Sequence, residues 1–215
     1  MNYNENTEEQ IIDEEQLIEA LNQNDMATFR EGFFQLHPYD RATLYKKVDA
    51  ELRQRIYYYL SPKELAEIFE LSEIEDEDYK VFLKEMDSVY AANMIANMFV
   101  DNAVDVLNEL DKAQVVSYLT IMDQESAAEI KALLHYEEYT AGSIMTTEFV
   151  VIPQDSTVRF AMTILRNAAP NAETIYYIFV VDDDARLTGV VSLRELIIAH
   201  EDTLIHTIMN DRVVG

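Results

Sequence analysis

Thr174-Ile-Tyr-Tyr-Ile-Phe-Val-Val-Asp-Asp-Asp-Ala-Arg-Leu-Thr-Gly-Val-Val-Ser-Leu-Arg-Glu195 is the stretch on which the fold turns. Two runs rich in β-branched and aromatic residues flank an acidic turn at Asp182–Arg186, which predicts two strands joined by a hairpin. Ser192-Leu-Arg-Glu195 has the spacing of a capping box. There the serine hydroxyl accepts from the backbone N–H near Glu195 and opens a helix through about Ala199. Upstream, Glu148-Phe-Val-Val-Ile152 reads as a strand and about Thr157–Asn167 as a helix. The order strand, helix, strand, hairpin, strand, helix is a small α/β unit.

Before Ala141 the pattern is different. Apolar residues recur at helical spacing: Leu17, Ile18 and Leu21; Leu44 and Val48; Leu52, Ile56 and Leu60; Leu65, Ile68 and Phe69; Val81, Phe82 and Met86. Ile95 and Met98, Val104, Leu107 and Leu110, and Val115, Val116 and Leu119 continue the series. Each set lines one face of a helix of about ten residues. Pro38 and Pro62 directly follow candidate caps, where proline is tolerated. Candidate starts at Ser61, Asp87 and Asp111, and at Asp101 and Asp123, recur every 22 to 26 residues, or two helices per period. A short helical pair cannot bury its stripe alone, so tandem pairs are expected to stack into a right-handed superhelix. The fold class is therefore α + α/β.

A chain of 215 residues with 49% hydrophobic content can bury a core. Sixteen basic against forty-one acidic residues give a net charge of −25, a surface that repels phosphate backbones and anionic lipid. Nucleic acid is not expected as a partner; cations held by oxygen ligands, chiefly Mg²⁺ and Ca²⁺, are. Eleven basic and 31 acidic residues precede Ala141, net −20, against 5 and 10 after it, net −5. Six acids fall between Glu70 and Asp78, and no lysine or arginine precedes Arg30, so few internal ion pairs are expected. Close like charges repel by a few kcal/mol per pair at an effective dielectric of ~20, so two such surfaces stay apart unless cations sit between them. The absence of cysteine excludes disulfides, thiolate metal sites and a cysteine nucleophile. Met1–Gln10 has neither the basic nor the apolar region of a secretory signal, and the longest apolar run, Ile175–Val181, is far short of the ~20 residues of a spanning helix. The chain is expected to be soluble by itself.

The α/β pattern, led by Ser143-Ile-Met-Thr-Thr, resembles a cystathionine-β-synthase-type (CBS) module. The segment His135-Tyr-Glu-Glu-Tyr-Thr-Ala-Gly-Ser-Ile-Met-Thr-Thr-Glu-Phe149, after helical repeats and before Asn171–Ile178, resembles the cytosolic region of MgtE magnesium transporters. The likeness runs from about Asp25 to the end. It implies an acidic segment with a first helix at 1–24, an acidic helical domain at 25–138, a linker at 139–147, and the first of two CBS modules at 148–215. A second CBS module, a connecting helix and a membrane domain that conducts Mg²⁺ are implied as further parts of the same protein. The chain would then be a piece of a homodimeric transporter at the cytoplasmic face of the membrane. In the family, abundant Mg²⁺ compacts the cytosolic region and closes the pore.

Site residues follow from the same resemblance. Asp101 and Asp105, one turn apart, match the family's acidic helix start and are expected to contact Mg²⁺; their plainer roles are an N-cap and a solvated carboxylate. The family often carries a second acid where this chain has Asn102. Backbone carbonyls around Gly142 are the other half of such a metal site, against a glycine needed only for positive φ. ATP or another adenine nucleotide is a further possible ligand, with Ser192, Arg194 and Glu195 at the ribose and Tyr176 or Tyr177 near the base. The plainer reading there is a capping box beside a buried tyrosine stripe. Asp182–Asp184 lack the order of a calcium loop and read as a hairpin turn.

No P-loop, Gly-x-Ser-x-Gly or His-Glu-x-x-His motif occurs, and His37, His135, His200 and His206 share no ligand spacing, so no enzyme is expected. The thirteen tyrosines are expected between helices with hydroxyls at the rim. Two rivals differ in what they bind. A nucleotide-sensing CBS protein would bind ATP through Glu195. A helical-repeat scaffold, resembling in outline a flagellar-motor switch component, would hold a basic partner without Mg²⁺.

Overall fold

The computed structural model describes residues 13–71, 76–136, 140, 142 and 145–213. The chain divides into two compact units, Met1–Ser143 and Ile144–Gly215.

The first unit is helical: α1 Glu14–Asn22, α2 Met26–Gln35, α3 Pro38–Lys47, α4 Ala50–Tyr59, α5 Pro62–Leu71, α6 Asp76–Glu85, α7 Ser88–Ile95, α8 Val100–Asn108, α9 Lys112–Ile121 and α10 Gln124–Leu133. Their starts fall into a regular register. The caps Asp13, Asp25, His37, Asp49 and Ser61 lie 12 residues apart, as do Asp87, Phe99, Asp111 and Asp123. Between Ser61 and Asp87 the step is 26 for two helices, so two extra residues interrupt the series once. The period is thus more even than the uncorrected starts suggest, because α8 is capped at Phe99 and not at Asp101.

Aspartates at six of these caps accept backbone N–H groups of the first turn, for instance Asp49 from Leu52 at 3.0 Å and Asp111 from Ala113 at 2.9 Å. Part of the unit's acidity therefore serves the orphan donors and dipoles of the helix starts. Hydrogen bonds from Thr28 hold the Asp25 carboxyl below its ordinary pKa, and that from the Ser126 N–H does so for Asp123.

Several helices pack on the next but one, α3 on α5, α5 on α7, α7 on α9 and α8 on α10, whereas α1 lies against α2 and α4. The core runs through Leu17, Phe29, Phe33, Tyr45, Ile56, Leu65, Phe69, Met94, Ile95 and Leu107. Val81 and Val116, assigned above to inward faces, are 51% and 63% exposed. Their neighbours Phe82 and Val115 pack against the core, 100° round the helix from them. Among the described residues, ion pairs join helices of this unit or turns of one helix, Glu14 with Lys47, Arg30 with Glu64, Arg53 with Glu85, Glu51 with Arg55 and Lys80 with Glu109.

The second unit holds β1 Val151–Pro153, α11 Val158–Ala168, β2 Tyr177–Val181, β3 Leu187–Ser192 and α12 Leu193–Ile198. The sheet order is β1-β2-β3, with β1 parallel and β3 antiparallel to β2. Both leading strands are shorter than the sequence pattern suggests. Glu148–Val150 and Thr174–Tyr176 remain outside the ladder, though Phe179 N–H donates to the Val150 carbonyl at 2.9 Å. One sheet face, with Ile152, Ile178, Val180 and Val191, packs on Val158, Ala161 and Leu165 of α11 and on Leu196 of α12. The hairpin closes as read: Asp182 accepts from the backbone N–H groups of Asp184 and Arg186, and Ala185 takes φ 58°. Asn210 then pairs with Val190 along β3. A Cβ at Gly189 would lie 2.7 Å from Met209 Sδ and 2.9 Å from the Asn210 carbonyl oxygen, so glycine admits this return.

Candidate functional site

Asp101 and Asp105 lie on α8, Asp101 in its first turn and half-buried, Asp105 exposed. Asp101 is not the N-cap. Its carboxylate accepts from the neighbouring Asn102 N–H at 2.9 Å, and Phe99, which occupies the cap position, offers no side-chain bond. The missing cap comes from another helix. Glu70 on α5 accepts from the Phe99 N–H at 2.8 Å and from the Asn102 amide at 2.5 Å. Asn102 thus supplies a neutral donor to a carboxylate that already holds the helix start. An aspartate in its place would face Glu70 with like charge.

Gly142 follows α10. Among the described residues no glycine takes positive φ, so conformational freedom is not what this position uses. Space is: a Cβ there would fall 2.2 Å from Cδ1 of the Tyr136 ring. The described residues contain no group of three or more acidic or histidine side chains placed to hold a metal by themselves. Asp101 and Asp105 offer two carboxylates on one helix face, a number suited to an ion that keeps most of its water.

In the α/β unit, Ser192 and Glu195 form the expected capping box. Glu195 Oε2 accepts from the Ser192 N–H at 2.8 Å and from its hydroxyl at 2.9 Å, and the Glu195 N–H donates back to Ser192 Oγ at 3.2 Å. Tyr177 stands directly across the ladder from Ser192, and the Tyr176 carbonyl accepts from the Leu193 N–H at 3.0 Å. The structure therefore gathers Tyr176, Tyr177, Ser192, Arg194 and Glu195 at one corner of the sheet. No buried tyrosine stripe exists there, for Tyr176 and Tyr177 are 72% and 63% exposed. Residues on the uncovered face alternate with the core set, as strand pleating demands.

A buried polar chain in the helical unit escaped the sequence. Tyr45 and Tyr57 share a hydrogen bond at 2.8 Å, Tyr57 donates to Glu85 at 2.9 Å, and Arg53 grips Glu85 with two bonds of 2.7 and 2.8 Å. Tyr45 is wholly buried and Tyr57 nearly so, contrary to hydroxyls at the rim. Burial pushes both phenols above their ordinary range, while the Arg53 bonds hold the Glu85 carboxyl below its own. The pattern Tyr45, Leu52-Arg53, Ile56-Tyr57 gives one signal of it, an arginine on an apolar stripe.

With this geometry in view, comparison with known proteins is direct. Residues 36–139 match the model of the MgtE intracellular N domain and residues 141–202 that of the CBS domain, so the chain is of the class that carries these two domains in tandem. It is 51% identical over its whole length to the magnesium transporter MgtE of Enterococcus faecalis and 36% identical over 92% of its length to that of Thermus thermophilus. It spans 47% and 44% of those two proteins, just under half of each. Among solved structures it resembles the soluble part of a magnesium transporter, at TM-score 0.88 and 51% identity over 94% of this chain and 79% of the other. A second likeness is to the cytosolic domain of the Mg²⁺ channel MgtE in complex with ATP, at TM-score 0.80 and 35% identity, covering 94% and 82%. The chain belongs to the MgtE family of magnesium transporters. Among its described residues no helix is long and apolar enough to cross a membrane.

Proposed function

We propose that this chain is the regulatory, Mg²⁺-sensing cytosolic region of a magnesium transporter, in which Mg²⁺ between acidic surfaces compacts the domains and closes a pore carried elsewhere in the protein. One observation carries the reading. Before Ala141 31 acids face 11 basic residues, an excess of 20, and within residues 36–139, which match the MgtE intracellular N domain, 22 acids face 10 basic residues, an excess of 12. That excess opposes close approach of any second acidic surface, and a divalent ion bridging two carboxylates reverses the sign of the interaction. Asp101, Asp105 and the Gly142 carbonyl are the metal contacts on this side. The shift in arrangement requires that Mg²⁺ bind the compact state more tightly than the extended one.

Small-angle scattering of the 215-residue chain, with and without millimolar Mg²⁺ at matched ionic strength, tests this. The radius of gyration should fall with Mg²⁺, and Asp101→Asn with Asp105→Asn should move the midpoint to higher concentration. A radius indifferent to Mg²⁺ would sink the reading.

The exposed sheet face of the α/β unit, with Phe149, Val151 and Tyr177 on it and Ile197 and Ile198 exposed on α12, supports a second CBS module of the same protein as the covering partner. The corner formed by Tyr177, Ser192 and Glu195 supports a second ligand, ATP, which the solved relative's cytosolic domain holds. Saturable ATP binding that weakens in Glu195→Gln, a change that can keep the helix cap, is the expected result; equal affinity would refute Glu195 as a contact.

A further inference from the structure

The turn that ends α10 carries the aromatic ring of Tyr136, and Gly142 lies against it. That turn is rooted in the core: the Leu134 N–H donates to Ile130 at 3.0 Å, the Tyr136 N–H to Leu133 at 3.1 Å, and both acceptor residues are buried. Six residues later Gly142 lies against the ring, where an added Cβ would fall 2.2, 2.5 and 2.6 Å from Tyr136 Cδ1, Cγ and Cε1. All three distances are shorter than any real contact, so the two residues fit only as glycine on ring. The contact is made by ring carbons, and half of the Tyr136 surface stays in solvent.

We propose that Tyr136 is a positioning residue whose ring seats the Gly142 peptide and so fixes the direction in which the Gly142 carbonyl is offered to a cation. This rests on the reading of that carbonyl as part of the Mg²⁺ site. A lone backbone carbonyl is a neutral, weak ligand on a short connection. If the Gly142 peptide were free, each binding event would bear the cost of ordering it; a ring that seats Gly142 beforehand removes that cost from the binding step. The seat also accounts for the choice of residue. Since Gly142 does not use positive φ, only the close approach of the ring calls for glycine.

Two measurements on the 215-residue chain test the proposal. In proton NMR the Gly142 α-protons should lie upfield of their ordinary position because they sit over a ring, should stay there in Tyr136→Phe, and should return in Tyr136→Ala. In the Mg²⁺ scattering titration Tyr136→Ala should raise the midpoint about fivefold at little cost in melting temperature, with Tyr136→Phe unchanged. Gly142→Ala should raise it likewise, and the pair Tyr136→Ala with Gly142→Ala should be no worse than either alone, since the ring that the new Cβ strikes is gone. Gly142 α-protons at their ordinary position in the unaltered chain overturn the seat. A Mg²⁺ response that Tyr136→Ala leaves untouched overturns the positioning role alone, whereas a chain that ignores Mg²⁺ altogether overturns the sensing reading and this role with it.

Discussion

Glu85→Ala removes the acceptor at the centre of the buried polar chain, and the structure sets how much that should matter. Arg53 loses both bonds to the carboxylate and Tyr57 loses its acceptor. The Arg53 and Glu85 side chains are only 10% and 14% exposed, so water is a poor substitute. Nor can the guanidinium swing clear, because it also donates to the Val48 carbonyl and lies 5.0 Å over the Phe82 ring. Removing one partner of such a pair costs about 3–5 kcal/mol, mostly as an uncompensated buried charge. At roughly 3 °C per kcal/mol for a unit of this size, the melting temperature of the helical unit should fall by about 10–15 °C. Replacing both charges, Arg53→Met with Glu85→Leu, should cost less than the single change. Urea titration followed by far-ultraviolet circular dichroism gives both numbers. A loss under about 1 kcal/mol for Glu85→Ala, or a double variant weaker than the single one, would refute the assignment of a desolvated pair.

Two further outcomes are expected. The Arg30 bonds, with help from Ser61, hold the Glu64 carboxyl down at about 2 against an ordinary 4.5, so its contribution is complete above pH 4.5 and disappears as the pH falls through 2. The stability gap between the unaltered chain and Glu64→Gln should therefore close over that window in acid titrations, and a gap constant with pH contradicts the pairing. In the α/β unit, Gly189→Ala should destabilise by about 1–3 kcal/mol, because the new Cβ meets the Asn210 carbonyl as well as the flexible Met209. Faster hydrogen exchange of the Asn210 and Val190 amides, which pair across that point, is the accompanying signature; unchanged exchange rules the clash out.

Much of the fold can be read from the chain because its signals are local. Ser192 and Glu195 announce a helix start through bonds three residues apart, and Asp182 closes its hairpin within five. The aspartate caps are equally local, yet Asp101 misleads, since α8 takes its cap from Glu70, 29 residues before Phe99. The same holds for the polar chain: Tyr57 and Glu85 are 28 residues apart, and nothing near either names the other. At the site, resemblance marks Asp101, Asp105 and Gly142, and the structure adds what residue type alone could not. Asn102 is spent on Glu70, and Gly142 is required by a ring and not by its own dihedral angle. The exposure of Tyr176 and Tyr177 was likewise hidden, because an apolar run looks the same whether one face or both are covered.

The twelve-residue spacing of the helix caps has a consequence for how this unit can change in length. Each residue added to a helix turns everything after it by 100°, so a single insertion would roll the next apolar stripe out of its seam. Twelve residues restore a helix start but shift each partner by one helix, since the seams of α3 on α5, α5 on α7, α7 on α9 and α8 on α10 skip one helix. Twenty-four restore both. Growth or loss by whole helix pairs would leave these seams matched, which makes the pair, and not the helix, the unit of inheritance in the helical unit.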